Sequence, residues 1–294
     1  MRMGAFEVMG SVPELNDPYV FAILRPWIDV NNVGTLVLKE LETQFGAKEL
    51  ARLAKPGHFF DFTRYRPTLY LEDDIRRVSI PNVTLRYAKR EGGNDFLFLH
   101  LLEPHALSEA YIDSVLKILK TLKVKKYILL GSMYDMVPHT RPLMIHGGAM
   151  GREAEQDLKK AGTFSSHYQG PATITTLITH QAPEVGIETI RFIVSLPQYV
   201  VLEEDYMGKV RLMEILNLLY HIPMNENDFE RVREQRSLIN QKVERTPELK
   251  HLLPQLETLY DIRIKSEGGE GMPKLSSDIE EILWKIKDKD LGKA

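Results

Sequence analysis

The chain contains no cysteine. Disulfide bonds, thiol nucleophiles and thiolate metal sites are therefore excluded, and the composition fits a reducing compartment. No apolar run is long and charge-free enough to span a bilayer, and the first ten residues lack the apolar segment of a signal peptide. We therefore expect a soluble, cytoplasmic protein that has no membrane partner.

The chain also lacks an excess of either charge. It has 38 basic and 41 acidic side chains, and the basic residues are scattered. A nucleic-acid-binding surface needs a basic patch, so we expect no nucleic-acid partner. The nine histidines show neither His-x-x-x-His nor His-Glu-x-x-His spacing, and residues 147–151 lack the Lys-Ser/Thr of a phosphate-binding loop. We expect neither a metal site nor a bound cofactor.

Up to residue 224 the chain alternates between short apolar runs and segments of helical length. Strands are predicted at residues 19–24, 96–99, 127–130 and 189–196, and helices at residues 33–45, 108–122, 153–160, 172–182 and 209–220. Strands separated by helices predict a mainly parallel sheet that is covered on both faces. Between residues 59 and 90 the period changes to two, which predicts short antiparallel strands with a turn at Asp73-Asp74.

The composition shifts to long charged side chains beyond residue 224. Apolar residues spaced by three and four predict one helix, Thr246-Pro247 opens a second, and Ser277 with Glu280 forms a capping box for a third. We therefore divide the chain into an α/β core, residues 1–224, and a helical appendage, residues 225–294. The appendage is expected to pack on its own core or on a neighbouring subunit.

Polar residues follow the apolar run at residues 127–130. Asp135, His139 and Arg141 come within ten residues of Gly131-Ser132, which we interpret as a turn at the carboxyl end of the strand. Open α/β sheets keep their sites at such ends. In one interpretation Arg141 binds an anion, His139 exchanges a proton and Asp135 orients His139. In the other, the three side chains brace the loop and Arg141 pairs with a carboxylate.

Five further residues are candidates for ligand binding. Ser132 is either an exposed nucleophile or, as we favour, a turn residue. Gly170 precedes the helix predicted at residues 172–182 and Thr173 lies in its first turn, where free N–H groups offer an anion site or where Pro171 simply begins the helix without a ligand. Asp29 and Asn32 follow the first predicted strand, where they either bind a ligand or serve as turn and cap residues.

Several ordered motifs resemble those of the proteasome assembly chaperone 2 family, in its archaeal and bacterial branch. They are Phe60-Asp61-Phe62 with Arg66-Pro67, Glu103-Pro104, Gly131-Ser132, Val137-Pro138-His139-Thr140-Arg141-Pro142, Tyr168-Gln169-Gly170-Pro171 and Pro197-Gln198-Tyr199-Val200. The resemblance implies a three-layer α/β/α fold similar to that of purine nucleoside phosphorylases and hydrolases, and homo-oligomers such as trimers. It implies no activity.

Eukaryotic members of that family help to assemble proteasome rings, and some archaeal members bind proteasomes or other proteins. The leading hypothesis is therefore a non-catalytic, homo-oligomeric assembly factor that binds itself and proteasome subunits or other proteins. The alternative is a phosphorylase-like or hydrolase-like enzyme for a nucleoside-like or other small polar substrate, with a site around Asp135, His139 and Arg141. That alternative depends on a shared fold alone.

Overall fold

A computed structural model describes residues 1–166 and 168–265. Within these residues, one sheet of ten strands forms the centre of the molecule. In order across the sheet, the strands are β1 (Arg2–Met3), β2 (Phe6–Val8), β4 (Lys48–Leu53), β7 (Thr84–Ala88), β8 (Phe96–Leu102), β3 (Tyr19–Arg25), β9 (Lys126–Asp135), β12 (Glu188–Pro197), β10 (Ile145–Met150) and β11 (Phe164–Ser165).

The prediction of a mainly parallel sheet is correct only for its centre. Strands β8, β3, β9 and β12 are parallel, whereas five of the nine pairings in the whole sheet are antiparallel. Parallel neighbours need a crossover of a dozen residues or more, but only residues 4–5 join β1 to β2 and residues 89–95 join β7 to β8. Short connections therefore account for the antiparallel pairing of β1 with β2 and of β7 with β8.

The described residues also contain the predicted helices, with small changes in their ends. They are α1 (Val33–Gln44), α2 (Ser108–Thr121), α3 (Arg152–Ala161), α4 (Ile174–Gln181), α5 (Tyr206–Tyr220), α6 (Glu226–Arg245) and α7 (Pro247–Lys265). The third appendage helix, predicted around Ser277 and Glu280, lies outside the described residues. None of the described helices has the length and apolar character required to cross a membrane.

Alternate side chains of β3 enter two separate apolar clusters. Phe21 and Ile23 pack with residues of α1 and α5, whereas Val20, Ala22 and Leu24 pack with residues of α2 and α4. Successive side chains of a strand point to opposite faces, so the sheet buries apolar residues on both faces. Residues of α6 and α7 join the first cluster, namely Ile239, Val243, Leu249, Leu252 and Leu256. One core therefore includes residues from both sides of the proposed division at residue 224.

Strands β5 (Thr68–Glu72) and β6 (Ile75–Ser79) form a separate two-stranded hairpin. Asp73 and Asp74 join them with φ angles of 50° and 62°. A two-residue hairpin turn of this kind needs positive φ at both positions, which aspartate tolerates. The predicted turn is confirmed. The next strand, β7, pairs with β4 and β8 in the main sheet and not with β6.

Candidate functional site

Gly131-Ser132 lies within β9, so the predicted turn is wrong. The strand continues to Asp135 because it pairs with β12 over that length, and the loop after β3 lies beside it at Ser132. A Cβ atom at Gly131 would lie 2.5 Å from the carbonyl oxygen of Ile28, so only glycine fits this approach. Ser132 is fully buried and its Oγ donates a hydrogen bond of 2.7 Å to the carbonyl of Val30. This serine is therefore not an exposed nucleophile in the structure; it fixes the loop after β3.

Asp29 lies beside Ser132 and holds the start of α1. Its carboxylate accepts hydrogen bonds from the backbone N–H of Thr35 at 3.1 Å and from Thr35 Oγ1 at 2.5 Å. Burial raises the pKa of Asp29, although the hydrogen bonds from Thr35 oppose that rise. Asn32 donates instead to the carbonyl of Glu203 and makes no side-chain capping bond. The structure thus uses Asp29 as a helix-stabilising residue and Asn32 as a loop contact.

Asp135, at the end of β9, contacts α7 and not His139. Arg263 of α7 donates to both carboxylate oxygens, at 3.3 and 3.2 Å, and Ser195 Oγ donates at 2.9 Å. Burial would raise the pKa of Asp135, but neighbouring His146 and the Arg263 guanidinium hold it well below its ordinary value. The expectation that Asp135 orients His139 is therefore wrong, because α7 occupies the carboxylate.

His139 is buried between two polar side chains. Tyr199 Oη accepts a hydrogen bond from the backbone N–H of His139 at 2.8 Å and lies 2.7 Å from Nδ1, while Asn240 Oδ1 lies 2.9 Å from Nε2. A neutral ring with its proton on Nε2 satisfies all these contacts, since Tyr199 then donates to Nδ1. Burial lowers the pKa of His139, which favours this neutral form.

Arg141 is bound by carboxylates of α7. Its Nε and Nη2 donate to the two oxygens of Asp261 at 3.1 and 3.2 Å, and Nη1 lies 3.4 Å from Glu257 Oε1. Thr140 Oγ1 donates to the same Glu257 oxygen at 2.5 Å, and Tyr260 Oη donates to the carbonyl of Pro142. These contacts are those of the loop-bracing interpretation, in which Arg141 pairs with a carboxylate.

The structure therefore places Asp135 at the end of β9 and His139 and Arg141 on the loop that follows, and gives each a different partner. Among the described residues, the three do not form one hydrogen-bonded catalytic group. The partners on α6 and α7 come from residues roughly a hundred or more positions away, and no local pattern predicts them. The same described part of the chain contains no cluster of three His, Asp or Glu side chains placed for a metal ion.

The helix start after Gly170 already holds a carboxylate. The backbone N–H of Ile174, the first residue of α4, donates to Glu103 Oε1 at 2.9 Å. Thr173 precedes the helix and its Oγ1 bonds to Thr175 Oγ1, while Gly170 lies in an exposed loop. Burial raises the pKa of Glu103, whereas the bond from Ile174 lowers it. The position where an external anion was expected is thus taken by a side chain of this chain.

The hairpin offers a different kind of surface. Leu69 lies opposite Val78, and Leu71 is two residues further along β5, so the three side chains share one face. They are 62%, 60% and 69% exposed, and Ile80 just beyond β6 is 49% exposed. A two-stranded hairpin alone is marginally stable, and grouped exposed apolar side chains mark interaction surfaces. This face is therefore a candidate protein-binding surface.

A model of the PAC2 family matches residues 23–246 of the chain. The chain belongs to the PAC2 family. This membership confirms the predicted resemblance, and the match extends through α6. A search of curated proteins gave no match.

Solved structures share the fold of this PAC2 protein. A PAC2 family protein from Streptomyces avermitilis is 19% identical, with a TM-score of 0.73, covering 82% of this chain and 99% of that one. A proteasome-assembly chaperone homologue from Mycobacterium tuberculosis is 18% identical, with a TM-score of 0.71 and coverage of 81% and 99%. An archaeal proteasome activator from Pyrococcus furiosus is 17% identical, with a TM-score of 0.63 and coverage of 83% and 100%. At these identities the likeness shows the fold.

Proposed function

We propose that this PAC2 protein is a non-catalytic, homo-oligomeric assembly factor that binds proteasome components in the cytoplasm. The exposed apolar face of the hairpin supports the oligomer, and the fold shared with a proteasome-assembly chaperone homologue and an archaeal proteasome activator supports the class of partner. The proposal includes the three-layer, phosphorylase-like arrangement and the division into a core and a helical appendage.

A second copy of this chain is the proposed occupant of the apolar face. The hairpin carries Glu72, Asp73 and Asp74 beside Arg76 and Arg77, so both signs of charge flank the same apolar side chains. A surface that pairs with its own copy needs such internal complementarity. The side chains of Leu69 and Leu71 are more than half exposed. A second copy that covers them would bury apolar surface and stabilise a hairpin that is only marginally stable by itself.

The enzyme alternative gains no support from the Asp135 loop. His139 is buried under Asn240, and Arg141 is paired with Asp261 and Glu257 of α7. A catalytic acid or base must reach the proton that it transfers, and in this arrangement α6 and α7 cover that path. These contacts favour a structural role for the loop, in which it fixes the last described helix.

The oligomer proposal is tested by measuring the molar mass of purified protein by light scattering during size-exclusion chromatography. Wild type is expected to elute at a multiple of 33.8 kDa, and a Leu69→Ser, Leu71→Ser variant at the monomer mass. Leu238→Ser on α6 is the matched control, because Leu238 is 64% exposed and far from the hairpin in sequence. A monomeric wild type, or a hairpin variant that keeps the wild-type mass, would contradict the proposal.

A further inference from the structure

A cleft lies between α1 and the hairpin, at the carboxyl ends of β3 and β8. Its volume is about 720 Å³. Arg25, Arg86 and His100 form its floor, Lys39 and Glu42 of α1 form one wall, and Tyr65 with the ends of the hairpin forms the other. Carboxyl ends of parallel strands are the usual position of ligand sites in open α/β sheets. The cleft shares no lining residue with the Asp135 loop.

The acidic side chain in this cleft is already bound. Glu42 Oε2 accepts from Arg86 Nη1 at 3.1 Å, and Glu42 Oε1 lies 2.6 Å from His100 Nε2. Arg86 Nη2 donates to the carbonyl of Ala47 at 2.9 Å. The Nε atom of Arg86 is buried and has no hydrogen-bond partner within the described residues. Arg86 is therefore held rigidly while one of its donors remains unused.

Arg25 has even fewer partners. Its Nε is also buried without a hydrogen bond, and no carboxylate in residues 1–166 or 168–265 lies within ion-pair distance of its guanidinium. Lys39, exposed on the wall of the cleft, likewise has no acidic partner in this part of the chain. Buried donors that lack an acceptor are rare in native proteins because they lose their bonds to water. These two Nε atoms are too buried to meet a ligand, but the guanidinium of Arg25 lines the cleft and has no acidic partner among the described residues, which indicates an acceptor from outside the chain.

We propose that this cleft binds a small organic molecule bearing an oxyanion, either a phosphate or a carboxylate, through the guanidinium of Arg25, with Arg86 beside it. Planar guanidinium groups match the spacing of oxygens in both anions, and Lys39 adds positive charge at the entrance. The volume exceeds that needed for a bare anion and suits a ligand of nucleotide size. The charged residues that carry the site, Arg25, Arg86 and Lys39, lie outside the hairpin.

Isothermal titration calorimetry of the full chain tests the site with three probes: inorganic phosphate, AMP and citrate. Wild type is expected to bind at least one of them. Arg25→Met should weaken that binding by about tenfold or more, because it removes a charged donor. The control Arg66→Met changes an exposed arginine that does not line the cleft, and it should leave the affinity within about twofold. Binding of phosphate or AMP identifies a phosphoryl ligand, and binding of citrate alone identifies a carboxylate.

Arg25→Lys provides a second variant that keeps the positive charge. It should weaken binding by about threefold or more, since lysine lacks the planar fork of donors. Two results would overturn the proposal. One is the absence of binding by wild type to all three probes at about 1 mM. The other is an unchanged affinity in whichever of the two Arg25 variants folds.

Discussion

Replacing Arg263 by methionine removes the α7 contact of Asp135 and should destabilise the protein. The side chains of Arg263 and Asp135 are only 15% and 12% exposed, so the pair is shielded from water. Breaking one partner of a buried ion pair costs about 3 to 5 kcal/mol. Asp135 keeps its bonds from Ser195 Oγ and the Met136 N–H in the variant. We therefore expect a loss near the lower end, about 3 kcal/mol of the free energy of unfolding at pH 7.

The same variant should have a characteristic pH dependence. The native pKa of Asp135 lies below its ordinary value, so ionisation of this group stabilises the folded state. That contribution is fully present above the unfolded pKa, about 3.9, and is lost as the pH falls through the native value. The difference in the free energy of unfolding between wild type and Arg263→Met should therefore be constant from neutral pH to about pH 5. It should shrink in more acidic solution.

Urea denaturation at fixed protein concentration, repeated across that pH range, measures both effects. Arg233→Met is the matched control, because the Arg233 side chain is 74% exposed and its pair with Glu230 spans 3.7 Å. The control should change the free energy of unfolding by less than about 0.5 kcal/mol. An Arg263→Met variant as stable as wild type at pH 7, or a loss that persists unchanged in acid, would refute the proposed role of the pair.

Two further substitutions test how α5, α6 and α7 are held. Leu252 on α7 is 3% exposed and belongs to the larger apolar cluster. Leu252→Ala should therefore lower the free energy of unfolding, measured by urea denaturation, by about 2 to 5 kcal/mol. A loss below about 1 kcal/mol would mean that α7 does not pack there. Lys209→Ala on α5 leaves the buried carboxylates of Glu40 and Asp228 without their shared cation. The free energy of unfolding, measured in the same way, should fall by about 3 to 5 kcal/mol. An unchanged midpoint of the urea transition would contradict the contact.

The elements that sequence predicts well are those with a regular apolar pattern. The strand at Tyr19–Arg25 and helix α1 follow such a pattern, and the structure confirms both. The sequence does not predict strand β10, because Gly147 and Gly148 have little tendency to form strands. The structure explains this glycine pair by close packing: a Cβ atom at Gly147 would lie 2.3 Å from Thr163 Oγ1. Such a contact depends on tertiary structure and leaves no local pattern.

The candidate site shows the same limit more strongly. The sequence marks Asp135 and Arg141 as polar residues on one loop, and both bracing and ligand binding are consistent with that pattern. Their partners, Arg263 and Asp261, are 128 and 120 positions away. A single sequence does not reveal such pairings, because any exposed helix carries acids and bases. Helix α7 therefore decides the role of the loop, and only the fold brings it there.

Binding to the proteasome is the most direct test of the proposed function. Surface plasmon resonance with immobilised proteasome α subunits, and separately with assembled particles, would use material from the organism that encodes this chain. The account predicts saturable binding of wild type to at least one of these forms. It also predicts weaker binding or none for a variant in which Leu69 and Leu71 are changed to serine, because that variant is expected to be a monomer. The absence of wild-type binding to both forms would contradict the account.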